Sequence, residues 1–235
     1  MRRRNEYDQE VGFPVANWKG RRFPEKVTIA GDYCVLEPLD CARHAEQLFE
    51  AFGREDAGSM WTYLPVGPFR DAEEFQKHVR SLAESTQAVH FAIVNRRTGR
   101  AMGSFCLTRI DAENGVAEVG LVVFSPGMQK TVMSTEAHYL LLRHAFESLQ
   151  YRRLEWKCDV CNEPSKRAAL RLGFQHEGMF RQTAVWKGVN RNHHWFSIID
   201  AEWETCSEAF RQWLCDANFE NGKQKRALVD IRNGC

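Results

Sequence analysis

Nowhere do the 235 residues approach the ~20 consecutive apolar positions that a membrane-spanning helix needs, and the first residues lack the apolar core of a signal peptide. A soluble, cytoplasmic protein without a membrane partner is expected. Net charge is scarce too: 32 Lys and Arg against 31 Asp and Glu leave a formal +1. Such a chain has no overall field to draw in nucleic acid, although MRRR at the start and KQKR at 223–226 make both ends locally basic. Those ends read as solvated. Internal repeats and low-complexity linkers are also missing, so one domain is the economical reading.

A second CxxC pair is absent as well. Cys158-Asp159-Val160-Cys161 stands alone where a zinc site needs four ligands, although Cys206, His176 and His194 could contribute. A redox pair would begin a helix at its first cysteine, and here that cysteine ends a strand. No metal is expected. The eight cysteines (34, 41, 106, 158, 161, 206, 215, 235) are scattered, several inside apolar runs, which suits reduced and mostly buried thiols better than a disulfide frame. Cys235 is the last residue and so heads no prenylation box.

What is present is a mixed α/β pattern. Residues 1–30 are polar and hold Gly12, Pro14, Gly20 and Pro24, an extended arm with little core of its own. A domain spanning 31–217 follows, then a polar C-terminal tail, 218–235. YCVLEPL (33–39) alternates like a short strand, Asp40 can cap the helix CARHAEQLFEAF, and Gly53 can stop it. After the aromatic loop MWTYLPVGPF (60–69), Asp71 opens a second helix to about Ser85. Strands over 88–96, 101–110 and 116–124, joined at Thr98-Gly99 and Asn114-Gly115, make an antiparallel meander. The next helix places Met133, Ala137, Leu140, Leu141, Ala145 and Leu149 on one core-facing stripe. A strand over 153–160, a helix over 163–172 closed by Gly173, a strand from Phe174, a turn at Lys187-Gly188, a strand over 194–200 and a helix over about 203–216 complete the order.

The stretch PGMQKTVMST (126–135) is longer than a strand-to-helix corner requires. A helix start leaves about four backbone N–H groups unbonded and carries roughly half a positive charge, which suits phosphate oxygens. Gln129, Lys130, Thr131, Val132, Met133, Ser134 and Thr135 would supply these amides, and Lys130 and Thr131 side-chain donors. The preceding strand ends in Val122, Val123 and Phe124, whose backbone could pair with an extended amide-bearing ligand. A pyrophosphate on an amide-containing arm fits both halves; equally, Thr131 or Ser134 could simply cap the helix.

Val119 to Ser134, together with CNEPSKRAALRLGFQHEGMFRQ (161–182), resembles the Gcn5-related N-acetyltransferases (GNAT superfamily), and within them the branch of the ribosomal-protein acetyltransferases RimJ and RimL. That resemblance implies a mixed, mostly antiparallel central sheet flanked by helices, acetyl-CoA as co-substrate, and transfer of an acetyl group to a primary amine. The family pattern Arg/Gln-x-x-Gly-x-Gly/Ala begins at Gln129 but meets Val132 and Ser134 at its glycine or small positions. A β-carbon is tolerated there if the backbone is helical, while closer ligand approach is lost. By the same resemblance Asn162 would bond the pantetheine arm and Arg167 reach a phosphate. A catalytically weak acyl-CoA-binding module is the alternative.

For chemistry, the amine must lose a proton before attack. Glu118 is the candidate base: under simple alternation it shares a face with Val116, Val122 and Phe124, where apolar surroundings would raise its pKa. It could instead be a surface carboxylate, with His176, His193 and His194 as reserve bases. The tyrosine that many superfamily members place four residues before the Gly-Phe pair is Ala169 here, so the resemblance assigns thiolate stabilisation to Ser165, which could otherwise only cap its helix. A freed N–H in the 122–124 strand would polarise the carbonyl. Trp61 and Tyr63 of the aromatic loop, with Trp195 and Trp186, could wall the acceptor site or fill the core. The acceptor is a small-molecule or peptide amine, with small molecules favoured by the neutral chain, and the protein a monomer or homodimer.

Overall fold

The computed structural model describes residues 3–52 and 58–234. Gly53 as a helix stop, the first two residues of the basic start and Cys235 lie outside the described residues. In chain order the elements are β1 (Arg3–Arg4), β2 (Glu10–Val11), β3 (Ile29–Ala30), β4 (Cys34–Pro38), α1 (Cys41–Phe52), α2 (Ala72–Ala83), β5 (Val89–Asn95), β6 (Ala101–Asp111) and β7 (Val116–Phe124). Then follow α3 (Val132–Arg143), continued by a π-helical turn (His144–Ser148), β8 (Arg153–Asp159), α4 (Glu163–Leu172), β9 (Gln175–Trp186), β10 (Val189–Ile199), α5 (Asp200–Leu214), β11 (Phe219–Glu220), β12 (Lys223–Gln224) and α6 (Leu228–Arg232).

Eight strands form one sheet in the order β3-β4-β5-β6-β7-β8-β10-β9. All neighbours are antiparallel except β7 and β8, which run parallel and pair only over Val116–Glu118 against Arg153–Glu155. The expected meander is β5-β6-β7. Helix signals acted where they stood: Asp40 Oδ1 accepts from the Arg43 amide at 2.7 Å, and Asp71 caps α2 through the Glu74 amide at 2.8 Å. Gly173 closes α4 at φ 111°, a conformation that other residues adopt only with strain.

β10 begins at Val189, five residues earlier than the apolar run HWFSIID suggested, and Asp200 belongs to α5 instead. Lys187 and Gly188 both have positive φ, 53° and 72°, which matches the twist of a tight hairpin and allows β9 and β10 to pair along polar residues as well.

One face of the sheet carries α3, α4 and α5 over the larger core; α1 and α2 cover the other face with a second cluster that includes Leu48, Phe52, Trp61 and Phe75. α3 is buried nearly all round rather than along one stripe. Met133, Ala137, Leu140, Leu141 and Ala145 are buried as expected and Leu149 is half-buried, but Tyr139 is covered as well, stacked on Phe210 at 5.3 Å. Glu136, buried on the same helix, accepts from the amides of Asp32, Tyr33 and Cys34 at 2.7–2.8 Å and so fixes the β3-β4 turn. Glu136→Gln keeps the shape but halves the acceptor capacity, and a loss of about 1–2 kcal/mol in urea unfolding is expected.

The two ends of the chain behave differently. The arm is anchored late: Trp18 lies across Gly115, donating to the Glu113 carbonyl at 2.8 Å, and Tyr151 donates to the Arg22 carbonyl at 3.1 Å. Residues 218–235 are not simply a polar tail, because α6 inserts Leu228 and Ile231, 1% and 2% exposed, into the larger core. Leu228 and Ile231 are easily passed over in a segment rich in charge, yet their spacing of three places both on one helical face.

Candidate active site

The parallel pair β7/β8 opens after Glu118. From Val119 onward β7 has no ladder on the β8 side, and β8 from Trp156 onward pairs only with β10. A slot between two strand edges that make no ladder with each other results. Its side walls include Phe124 and Trp156, and His138 of α3 lies against both, with ring centroids at 5.2 and 5.5 Å.

A bulge interrupts β7 at this point. Ser104 faces Val123 and Cys106 faces Gly120, so Phe105 alone spans Leu121 and Val122, and Leu121 takes φ 46°. The extra residue reverses the alternation of side chains. Ala117, Val119, Val122 and Phe124 all pack on the larger core, whereas Val123 joins the α1/α2 cluster. Glu118 therefore does not share a face with Val122 and Phe124, as alternation implied. It pairs across with Thr108 on the face of Gly120 and Val123.

There Glu118 is 4% exposed. Lys157 Nζ stands 3.1 Å and Arg109 Nε 3.4 Å from its Oε2. Neither is aligned for a hydrogen bond, and Oε2 has no hydrogen-bond partner among the described residues. Burial pushes the Glu118 carboxyl up; the two cations pull it down without cancelling that effect. Trp195 caps the group, its ring 5.5 Å from Lys157 and 5.6 Å from Arg109.

At the far end of β7 the turn into α3 uses part of its own donor set. Thr131 is the cap: its Oγ1 accepts from the Ser134 amide at 3.3 Å, and Ser134 Oγ donates back to the Thr131 carbonyl at 2.7 Å. The Gln129 amide donates to Ser125 O and the Thr131 amide to Met128 O, while the Gln129 side chain donates to Phe124 O at 2.9 Å. Thr135 is buried within α3, accepting from Arg171 at 3.1 Å. This leaves the amides of Lys130, Val132 and Met133 without a partner among the described residues. Val132 and Ser134 are helical, so their β-carbons are tolerated; the left-handed residue is Lys130, φ 59°.

On α4, Asn162 rather than Ser165 is the cap, its Oδ1 accepting from the Ser165 amide at 3.2 Å. Ser165 Oγ accepts from the Trp156 indole at 3.0 Å, which ties it to a wall of the slot. Arg167 is exposed, with Glu163 at 3.9 Å.

The aromatic loop crosses to the far side of the slot. Tyr63 donates to Cys161 O at 3.0 Å, Arg191 to Thr62 O at 3.1 Å and Lys187 to Trp61 O at 2.7 Å. Trp61 is 4% exposed and edge-on to Phe52 and Phe69, so it packs as core while also lining a cavity of about 20 Å³ with Leu64, His90, Ser104, Leu121 and Val123. His176 and His194 form an exposed pair at 2.9 Å, and His193 is buried beside Thr183 and Trp186. Among the described residues no three His, Cys, Asp or Glu side chains gather as metal ligands. Arg109, Lys157 and His138 were not singled out in the sequence. The first two share the Glu118 face only through strand register, and His138 lay outside the stripe assigned to its helix.

Comparison with known proteins agrees with this architecture. The family description "Acetyltransferase (GNAT) domain" matches residues 34–175. A GCN5-related N-acetyltransferase from Brucella melitensis superimposes with a TM-score of 0.91 and 39% identity over 93% of this chain and 100% of that one. A "probable acetyltransferases (GNAT family)" structure from Chromobacterium violaceum gives a TM-score of 0.77 and 36% identity over 83% of this chain and 96% of its own. By sequence, the "Putative ribosomal N-acetyltransferase YdaF" of Bacillus subtilis is 25% identical over 174 residues, 72% of this chain and 91% of YdaF.

Proposed function

This chain belongs to the GNAT family of acetyltransferases, and from that premise we propose that it carries an acetyl group from acetyl-CoA to a primary amine by direct attack in a ternary complex, with a small-molecule amine as acceptor. The observation that carries the reading is the slot between β7 and β8. It has unpaired helix-start amides at one end, a free strand edge along it, and the buried Glu118 carboxylate on the sheet face beside it.

The residues fit such a ligand. The amides of Lys130, Val132 and Met133 suit pyrophosphate oxygens, and the open edge of Val122–Phe124 suits an amide-bearing arm. Gln129, Thr131, Ser134 and Thr135 shape the cradle more than they donate to it. Asn162 keeps its amide NH2 for the arm, since only its oxygen is taken by the cap. Bound acetyl-CoA would supply the thioester and a thiolate leaving group. Glu118 Oε2 accepts the ammonium proton of the acceptor, and a main-chain N–H at the Leu121-Val122 bulge offers a hydrogen bond to the carbonyl oxygen. Ser165 Oγ, held by the Trp156 indole, would donate a hydrogen bond that stabilises the departing thiolate, and the proton the nitrogen sheds on acylation would neutralise that sulfur. Trp61, Tyr63 and Trp195 bound the acceptor side and exclude water.

A thermal-shift titration with acetyl-CoA tests the reading. A ligand bound only to the folded state adds about 2.7 kcal/mol at a hundredfold excess over Kd. A saturable rise is expected, reduced in Gln129→Glu, where a carboxylate cannot donate to the Phe124 carbonyl and adds negative charge beside the helix-start amides. No rise at millimolar acetyl-CoA would sink the proposal. A protein N-terminus is the second reading, kept because the relative YdaF is named a putative ribosomal N-acetyltransferase; an acceptor panel of free amines and short peptides separates the two.

A further inference from the structure

His138 has no role in that scheme, yet its ring packs beneath the place where β7 and β8 part. It is 6% exposed, with ring centroids 5.9 Å from Phe105, 5.2 Å from Phe124 and 5.5 Å from Trp156. Phe124 ends β7 and Trp156 belongs to β8, so the imidazole lies where the two strands part.

Its protonation pattern follows from one contact. Nδ1 is 2.8 Å from the Ser134 carbonyl oxygen, and an oxygen of that kind only accepts. The hydrogen is therefore on Nδ1, and Nε2 holds a lone pair. Burial pushes the imidazole down to about 4, so the ring stays neutral at physiological pH. Nε2 is buried without any hydrogen-bond partner among the described residues. The indole N–H of Trp156, the polar hydrogen on an adjoining ring, is already given to Ser165. A buried acceptor left unpaired is a standing cost, which a donor on a ligand lying in the opening between β7 and β8 would remove.

We propose that His138 Nε2 accepts a hydrogen bond from an amide N–H of the acyl-CoA arm and so fixes the arm's position along the slot. The inference rests on the acetyl-CoA reading given above. It differs from strand-edge pairing because a side chain of α3, the helix whose start cradles the phosphates, would hold the arm as well. His138 acts as a binding residue, with no proton moved.

The test is calorimetric titration of the full chain and its His138→Leu variant with CoA and, separately, with adenosine 3′,5′-bisphosphate, which has the nucleotide phosphates but no arm. Leucine fills the ring's place and has no acceptor. CoA affinity should fall about tenfold in the variant while bisphosphate affinity stays unchanged. Unchanged CoA affinity would overturn the inference, and so would an equal loss for both ligands, which would mark a general disturbance of the helix. Wild-type protein that binds neither ligand would instead remove the acetyl-CoA reading itself. If the leucine variant does not fold, the 15N resonance of Nε2 in the wild type decides: a shift with CoA but not with the bisphosphate supports the bond, and no shift at saturating CoA rejects it.

Discussion

Glu118→Gln is expected to lower kcat by about 10²–10⁴ at neutral pH, the range that a positioned general base contributes. Glutamine keeps the volume and the contacts with Lys157 and Arg109 but cannot take a proton. In the wild type the rate should rise with pH through the Glu118 pKa, which burial places above the ordinary glutamate value of 4.5. That limb should vanish in the variant. Stability should move the opposite way. A carboxyl whose folded-state pKa is raised contributes stability below the unfolded value and loses it as pH climbs through the folded one. Above its folded-state pKa the ionised, buried Glu118 is thus a burden on folding, so there Glu118→Gln should melt no lower than wild type, with any gain fading as pH falls toward 4.5. Lys157, partly exposed, can hydrate its freed charge. A variant retaining wild-type kcat and pH profile would show that Glu118 is structural and that a water or His193 takes the proton.

Removing residues 227–235 should cost about 3–6 kcal/mol, from two fully buried aliphatic side chains at about 1.5–3 kcal/mol each. Leu228 and Ile231 fill the larger core, and Arg232 donates to the Arg171 and Leu170 carbonyls at 2.9 and 3.1 Å, satisfying the last turn of α4. Domains of this kind are stable by only about 5–15 kcal/mol, so the truncation should move the urea midpoint far and could leave the chain unfolded at physiological temperature. A midpoint that does not move would mean that α6 merely rests on the surface. Because α4 carries Asn162 and Ser165, the shortened chain should also bind CoA more weakly under conditions where it still folds.

These two sites show where sequence reasoning stopped. Glu118 was visible as a carboxylate in an apolar strand, but its neighbours were misassigned because alternation holds only while a strand stays regular. Nothing in EVGLVVF marks Leu121 as the point where one residue on β6 faces two on β7. The cations around Glu118 come from β6 and β8, and only the register of three strands brings Arg109 and Lys157 together. The end of the chain failed differently: the composition of 218–235 is polar, and two leucine-like residues in it carry the packing.

Local signals, by contrast, were enough for most elements. Capping aspartates, a left-handed glycine after α4, hairpin turns and period-two or period-3.6 apolar patterns act between residues a few positions apart, so the sequence by itself determined the order of strands and helices and the capped start of α3. Only the tertiary structure decided that β7 and β8 part after three paired residues, which face Glu118 occupies, which amides at the start of α3 remain free among the described residues, and that His138 lies where the two strands part. Each of these depends on ladders and contacts between segments tens of residues apart, where the outcome is set by packing across the sheet and not by any neighbour in the chain.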